Sequence, residues 1–200
     1  MGGNVILVGF MGAGKSSVGR LLARHLGRCF VETDDMISAR EGRSIPEIFA
    51  ERGEAHFRAL EEETVVLLAL KSGDVIATGG GLFCREGRPA ALRALGTVVW
   101  LAGDFDVLYA RAQRAGARPM LAGRSRDEAA ALYRAREAYY RQADLSVDTT
   151  GITPDQVATR VLLALRERAS NVLPLPSGER AAGRAAAAGE ASELKNRGAP

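Results

Sequence analysis

Eight residues near the start of this 200-residue chain, Gly9-Phe10-Met11-Gly12-Ala13-Gly14-Lys15-Ser16, constrain its fold more than any others. They follow the apolar run Val5-Ile6-Leu7-Val8 and lead into Val18-Gly19-Arg20-Leu21-Leu22-Ala23. The pattern reads as strand, glycine-rich loop with the spacing G-x-x-x-x-G-K-S, then helix. Glycines let successive backbone N–H groups turn inward around phosphate oxygens, where side chains would clash. Lys15 can then reach the β- and γ-phosphates, Ser16 can ligate Mg²⁺, and the helix N-terminus adds positive potential. Gly12, Ala13, Gly14, Lys15, Ser16 and Ser17 are thus the expected contacts to a nucleoside triphosphate.

Bulk properties bound the remainder. The chain is long enough to bury a core without disulfides or structural metal. Its hydrophobic fraction of 46% and charged fraction of 26% are ordinary for a soluble globule. A net charge of +3 is too small to argue for nucleic acid. Cys29 and Cys84 are far from any metal-ligand spacing and sit beside apolar residues, so buried reduced thiols are expected. No apolar stretch is long enough to span a membrane, and the N-terminus lacks a secretory pattern. A cytoplasmic, monomeric protein is the expectation.

Further apolar runs at Cys29–Val31, Val75–Ala77, Val98–Leu101 and Leu145–Val147 alternate with helical patterns. Together with Val5–Val8 they predict an α/β fold of the P-loop NTPase type: a parallel five-stranded sheet with helices on both faces. Glu32-Thr33-Asp34-Asp35 ends the second strand and opens a helix. Ser44-Ile45-Pro46-Glu47 is a capping box with Pro at the first helical position, so another helix begins there. A longer helix is predicted from about Glu54 to Leu70, with Phe57, Leu60, Val65, Leu67 and Leu68 available for burial. Asp104 can cap a helix through Arg114, residues 115–126 break all periodicity as an arginine-bearing lid loop, and helix resumes from Asp127 to about Gln142. Thr153-Pro154 starts the last helix, to about Arg168. The predicted domain is residues 1–168. Beyond it, residues 169–200 have almost no large apolar residue after Leu175, which predicts a disordered tail.

A phosphate loop alone leaves kinase, GTPase, motor and switch open. There is no Asn-Lys-x-Asp guanine signature, and the domain is small for a motor. A small βα domain with an arginine-bearing loop late in the chain suits a small-molecule kinase, which must close over its substrates to exclude water. Ligands in such sheets bind beyond the strand C-termini. Polar groups expected there are Asp34, Arg58, Gly79-Gly80-Gly81 and Arg136. Two arginines can grip a carboxylate, and a carboxylate can take a proton from a hydroxyl. These residues therefore suggest an acceptor bearing hydroxyls and a carboxylate. Plainer uses stay open: Asp34 as a helix cap, Arg58 as partner of Glu54, Glu61 or Glu62, and Arg136 or Arg118 as solvated charges.

From about Asn4 to Arg166 the chain resembles the shikimate kinase family. The resemblance is carried by Gly9–Ser16, Thr33-Asp34, Gly42-Arg43-Ser44-Ile45, Glu47-Ile48-Phe49, Gly53-Glu54, Phe57-Arg58, Glu61-Glu62 and Gly79–Gly81. Arg118-Pro119, Leu121-Ala122-Gly123, and Arg136 with Tyr140 extend it. It implies phosphorylation of the shikimate 3-hydroxyl by ATP with Mg²⁺, a step toward chorismate and the aromatic amino acids. It further implies that Lys15 holds the phosphates and Ser16 the Mg²⁺, and that Asp34 binds the shikimate hydroxyls and acts as base. Arg58 and Arg136 would pair with the carboxylate, Gly79, Gly80 and Gly81 would line the pocket, and Arg118 would reach the transferring phosphate. Arg111 and Pro154 would sandwich the adenine. One departure stands out: the family has Asp-x-Asp where this chain has Glu32-Thr33-Asp34, so a longer carboxylate would hold the metal through water. A gluconate-type kinase and a non-catalytic nucleotide-binding domain are the alternatives.

Overall fold

The computed structural model describes residues 3–114 and 124–172. The first strand, β1 (Asn4–Val8), is followed by α1 (Lys15–Leu26), β2 (Phe30–Glu32), α2 (Thr33–Glu41) and α3 (Ile45–Leu68). Then come β3 (Val75–Ala77), α4 (Arg88–Leu95), β4 (Gly96–Ala102), α5 (Phe105–Arg114), α6 (Arg126–Tyr140), β5 (Leu145–Asp148) and α7 (Pro154–Val172). The sheet order is β2-β3-β1-β4-β5, and every pairing is parallel. All five residues of β1 are buried, as a central strand covered on both faces requires. The chain winds to one side of β1 through β2 and β3, then crosses to the other side for β4 and β5. The reversal opens a crevice beyond the C-terminal end of β1, where the phosphate loop leaves the sheet.

Close packing sets that loop in place. Gly12 has φ +79°, and a Cβ there would lie 2.1 Å from the Leu108 carbonyl oxygen of α5. Within α1, a Cβ at Gly19 would lie 2.4 Å from the Phe30 ring, so this glycine lets the helix lie against β2. At the lower end of the sheet, buried Asn4 donates to the Lys71 and Leu95 carbonyls and accepts from the Asp74 N–H, at 3.0–3.1 Å. These bonds satisfy an amide that would otherwise be costly to bury.

Helices α2 and α3 enclose a small core of Ile37, Ile48, Phe57 and Leu60, with Ile45 and Phe49 packed against it. The Ser44–Glu47 capping box forms as expected. Gly53, at φ +75° and ψ 178°, breaks α3 between its short first part and the longer second part. The two helices read from the sequence are therefore both present, meeting at the Gly53 break, with the second beginning near the expected Glu54.

Several expectations are corrected. Leu67 is 42% exposed, because the buried stripe of α3 runs through Phe57, Leu60, Glu61, Thr64, Val65 and Leu68. Helix α4, with Pro89 in its first turn, was not anticipated. Helix α6 starts one residue before the expected Asp127 on a capping box of its own, Ser125 with Glu128, so Arg126 belongs to the helix rather than the lid. Cys29 is exposed, since it precedes the edge strand β2, whereas Cys84 is half-buried. The last helix passes Arg168 and runs to Val172. Its part from Leu165 falls in a separate unit of the chain, in which Ser170 Oγ donates to the Arg166 carbonyl. Among the described residues no helix is long and apolar enough to cross a membrane.

Candidate active site

A cavity of about 640 Å³ opens beyond the strand C-termini, between the phosphate loop and the α2–α3 unit. At one end it is lined by Gly12, Gly14, Lys15, Ser16, Ser17, Glu32 and Arg111. At the other end lie Asp34, Arg58, Gly79, Gly80, Gly81 and Arg136. Residues from six separate stretches of sequence thus meet in one space.

The loop end is built locally. Gly14, at φ 84°, caps α1 in a left-handed conformation, which leaves the first N–H groups of the helix facing the cavity. Lys15 Nζ donates to the carbonyls of Gly9 (2.8 Å) and Phe10 (3.1 Å), which holds the ammonium over the loop. Ser16 Oγ donates to Glu32 Oε1, and Arg20 lies 3.6 Å from Glu32 Oε2. A hydroxyl and a carboxylate side by side are hard oxygen donors of the kind Mg²⁺ takes, so the residues present fit that ion. Arg111 is held by Thr149, whose hydroxyl and carbonyl accept at 3.3 and 3.0 Å. Ala13 is buried behind the loop, and its N–H donates to the Phe10 carbonyl at 3.2 Å. Pro154 is exposed at the start of α7 and does not line this cavity. Arg118 lies outside the described residues, as does the lid from 115 to 123.

The acceptor end depends on contacts distant in sequence. Thr33 Oγ1 accepts from the Gly79 N–H at 2.8 Å, so α2 and the glycine run are tied together. A Cβ at Gly79 would come 2.5 Å from Asp34 Oδ1; the carboxylate occupies the space a side chain would need. Asp34 sits in the first turn of α2, whose cap position is Glu32, so the cap reading does not hold. A Cβ at Gly81 would lie 3.0 Å from Arg58 Nη1 and 3.2 Å from Arg136 Nη2. Both guanidinium groups therefore converge on the same glycine.

Arg58 makes the ion pairs its helical spacing allows, to Glu54 at 2.6 Å and to Glu61 at 2.7 Å, while still lining the cavity. Glu61 is only 2% exposed, which makes it a buried anchor for Arg58. Burial alone would lower the pKa of Arg58, but Glu61 and Glu54 outweigh it and raise that pKa above its usual value. Arg136 is not a solvated charge: it is buried, faces the Phe10 ring 6.0 Å away, and its Nη1 has no hydrogen-bond partner among the described residues. Burying a cation with spare donors is costly unless an anion completes its bonding.

Sequence reasoning missed the apolar wall. Ile45, Pro46, Phe49 and Phe57 line the cavity, with the Phe49 and Phe57 rings 4.7 Å apart. From the sequence, Phe57 was expected only for burial, and Ile45 and Pro46 only at the start of a helix. Glu61 and Met11 also line it.

The shikimate kinase family model matches residues 11–166. A shikimate kinase of Moorella thermoacetica is 45% identical over 166 residues, covering 83% of this chain and 96% of that protein. The crystal structure of shikimate kinase from Aquifex aeolicus superposes with a TM-score of 0.75 at 39% identity, covering 83% of this chain and 98% of that one. A shikimate kinase from Acinetobacter baumannii, in complex with shikimate, gives 0.80 at 33% identity, covering 87% and 97%. Likeness at this level, running from the phosphate loop into the last helix, places the chain in the shikimate kinase family.

Proposed function

We propose that this protein transfers the γ-phosphoryl group of ATP to the 3-hydroxyl of shikimate, with each end of the cavity serving one substrate. The observation that carries this reading is the meeting of Arg58 and Arg136 over Gly81, in the same cavity as the phosphate loop. Two guanidinium groups facing one point suit a carboxylate, and Asp34 beside Gly79 suits a neighbouring hydroxyl.

Lys15 and the backbone N–H groups from Gly12 to Ser17 would hold the triphosphate. Ser16, and Glu32 through water, would hold Mg²⁺, which when bound neutralises charge on the phosphates. Asp34 accepts the proton of the attacking hydroxyl. Arg58, braced by Glu61, and Arg136 orient the ring through its carboxylate. Ile45, Pro46, Phe49 and Phe57 exclude water from that end. Arg118 would stabilise charge on the transferring phosphoryl group, and Arg111 and Pro154 would bracket the adenine. Phosphoryl transfer needs little covalent chemistry from the protein, so catalysis is mainly positioning and electrostatics. We further propose that the enzyme acts as a monomer in the cytoplasm.

A coupled ADP-release assay with shikimate, gluconate or no acceptor tests the reading. ADP release should depend on shikimate and be near background with the other two. Release that is faster with gluconate, or independent of any acceptor, would overturn it. Charged hydrogen bonds contribute about 1.5–3 kcal/mol each, so Arg136→Ala should raise the shikimate KM about tenfold or more while the ATP KM holds.

A further inference from the structure

Tyr140 lies one helical turn beyond Arg136 on α6 and is fully buried. Its hydroxyl donates to the Gly80 carbonyl at 2.7 Å, and its ring stacks on Trp100 with centroids 6.0 Å apart. Cys84 Sγ approaches the same carbonyl and that of Arg136, each at 3.9 Å. Gly80 in turn touches both halves of the site: a Cβ there would lie 3.6 Å from Arg136 Nη1 and 3.8 Å from the Met11 nitrogen in the phosphate loop. A phenol in such a place must bury a polar hydroxyl, which costs free energy unless it is bonded. It bonds to the peptide between the two halves of the cavity, and it also interacts by hydrogen bonding with the Arg136 and Cys84 side chains.

We propose that Tyr140 is a positioning residue for the acceptor end, fixing the Gly80 peptide against α6. Residues four apart on a helix share a face and move together. Arg136 and Tyr140 therefore act as two prongs of one rigid element, one toward the substrate and one holding the glycine run. The Tyr140 bond sets the separation between Gly79–Gly81 and the Arg136 guanidinium. Without it, the Gly80 carbonyl keeps only the long thiol contact, and the glycine run can shift against Arg136. The phosphate loop has its own attachment, through Gly12 against α5, so nucleotide binding should be spared. The proposal rests on the carboxylate-clamp reading above.

Tyr140→Phe keeps the ring and its stacking while removing the hydroxyl and its hydrogen bonds, the one to the Gly80 carbonyl among them. In the full chain it should raise the shikimate KM about fivefold and change the ATP KM less than twofold. Calorimetric titration with shikimate should show the same loss. In an Arg136→Lys background, where the forked grip is already gone, the same substitution should change the shikimate KM less than twofold, because coupled residues are not additive. An unchanged shikimate KM, an equal rise in both KM values, or a full fivefold effect in the Arg136→Lys background would overturn the proposal. If Tyr140→Phe is too unstable to assay, Cys84→Ala decides instead. About a twofold rise in the shikimate KM alone supports the device, and no rise overturns it. Turnover of shikimate by the unaltered enzyme tests the underlying reading separately. An active enzyme with a silent Tyr140→Phe sinks only this proposal.

Discussion

One methyl group at position 79 should be enough to disable the acceptor end. Gly79 is not in the left-handed region, so alanine is compatible with its backbone, but the new Cβ would sit 2.5 Å from Asp34 Oδ1. The short Asp side chain must swing away from the site. Gly79→Ala should therefore lower kcat by about 10²-fold, the scale of a lost general base, with the ATP KM and Tm nearly unchanged. Steady-state kinetics with a thermal melt would check this, and a kcat near normal would remove Asp34 from the base role. Glu32 offers a second residue-scale test. Because Ser16 donates to its carboxylate, Glu32→Ala should raise the Mg²⁺ concentration for half-maximal rate several-fold and leave the shikimate KM alone. Glu32→Asp should shift it only modestly. An unchanged Mg²⁺ dependence in a Mg²⁺ titration of Glu32→Ala would make Glu32 merely a strand-end residue. The placement of Lys15 and Ser16 at the loop end of the cavity was legible because the loop spacing is local. That Arg58 serves both its ion pairs and the cavity was not, since helical spacing predicts only the pairs.

Among elements, the phosphate loop depends on a helix that begins far along the chain. Gly12 combines a φ of +79° with contact to the Leu108 carbonyl of α5. Alanine there would meet backbone that cannot move aside. Gly12→Ala should lower Tm by several degrees and weaken ATP binding together, as followed by melting and nucleotide titration. Loss of ATP binding at constant Tm would mean that α5 does not brace the loop. Caps show what a sequence exposes at this scale. The Ser44–Glu47 box was readable because its partners are three residues apart. The Ser125–Glu128 box has the same spacing but follows a stretch without periodicity, so the helix start was placed one residue late at Asp127. Helix α4 escaped notice because Arg88–Leu95 is only eight residues long, too short for a convincing period.

For the whole molecule, stability should have a broad neutral plateau with an acid and an alkaline edge. Hydrogen bonds from Ser44, Arg58 and Ser125 hold Glu47, Glu54 and Glu128 below the usual 4.5, and Thr150 holds Asp148 below 3.8. A depressed carboxyl stabilises the fold above its unfolded pKa, and that contribution goes as pH falls through the folded value. These side chains are largely exposed, so the acid edge below about pH 4 should be shallow. Burial pushes Cys84 above 9.0 and Tyr140 well above 10.0. A group with a raised pKa contributes fully below its unfolded pKa and is lost as pH rises toward the folded one. Tm measured across pH should therefore fall more steeply above about pH 9 than it does in acid. A Tm still level at pH 11 would mean that neither buried group resists ionisation.

The sequence by itself determined what neighbours along the chain can decide: the glycine loop, the alternation of strand and helix, the box at Ser44 and the βα class of the fold. Those follow from backbone sterics, spacing and caps within a few residues. Only the tertiary structure decided which residues share a cavity. Thr33 meets Gly79 across 46 positions and Tyr140 meets Gly80 across 60. It also decided that Arg136 is buried while Leu67 is exposed. Burial and pairing are set by whatever packs against a side chain, and for these residues the partner comes from another part of the chain.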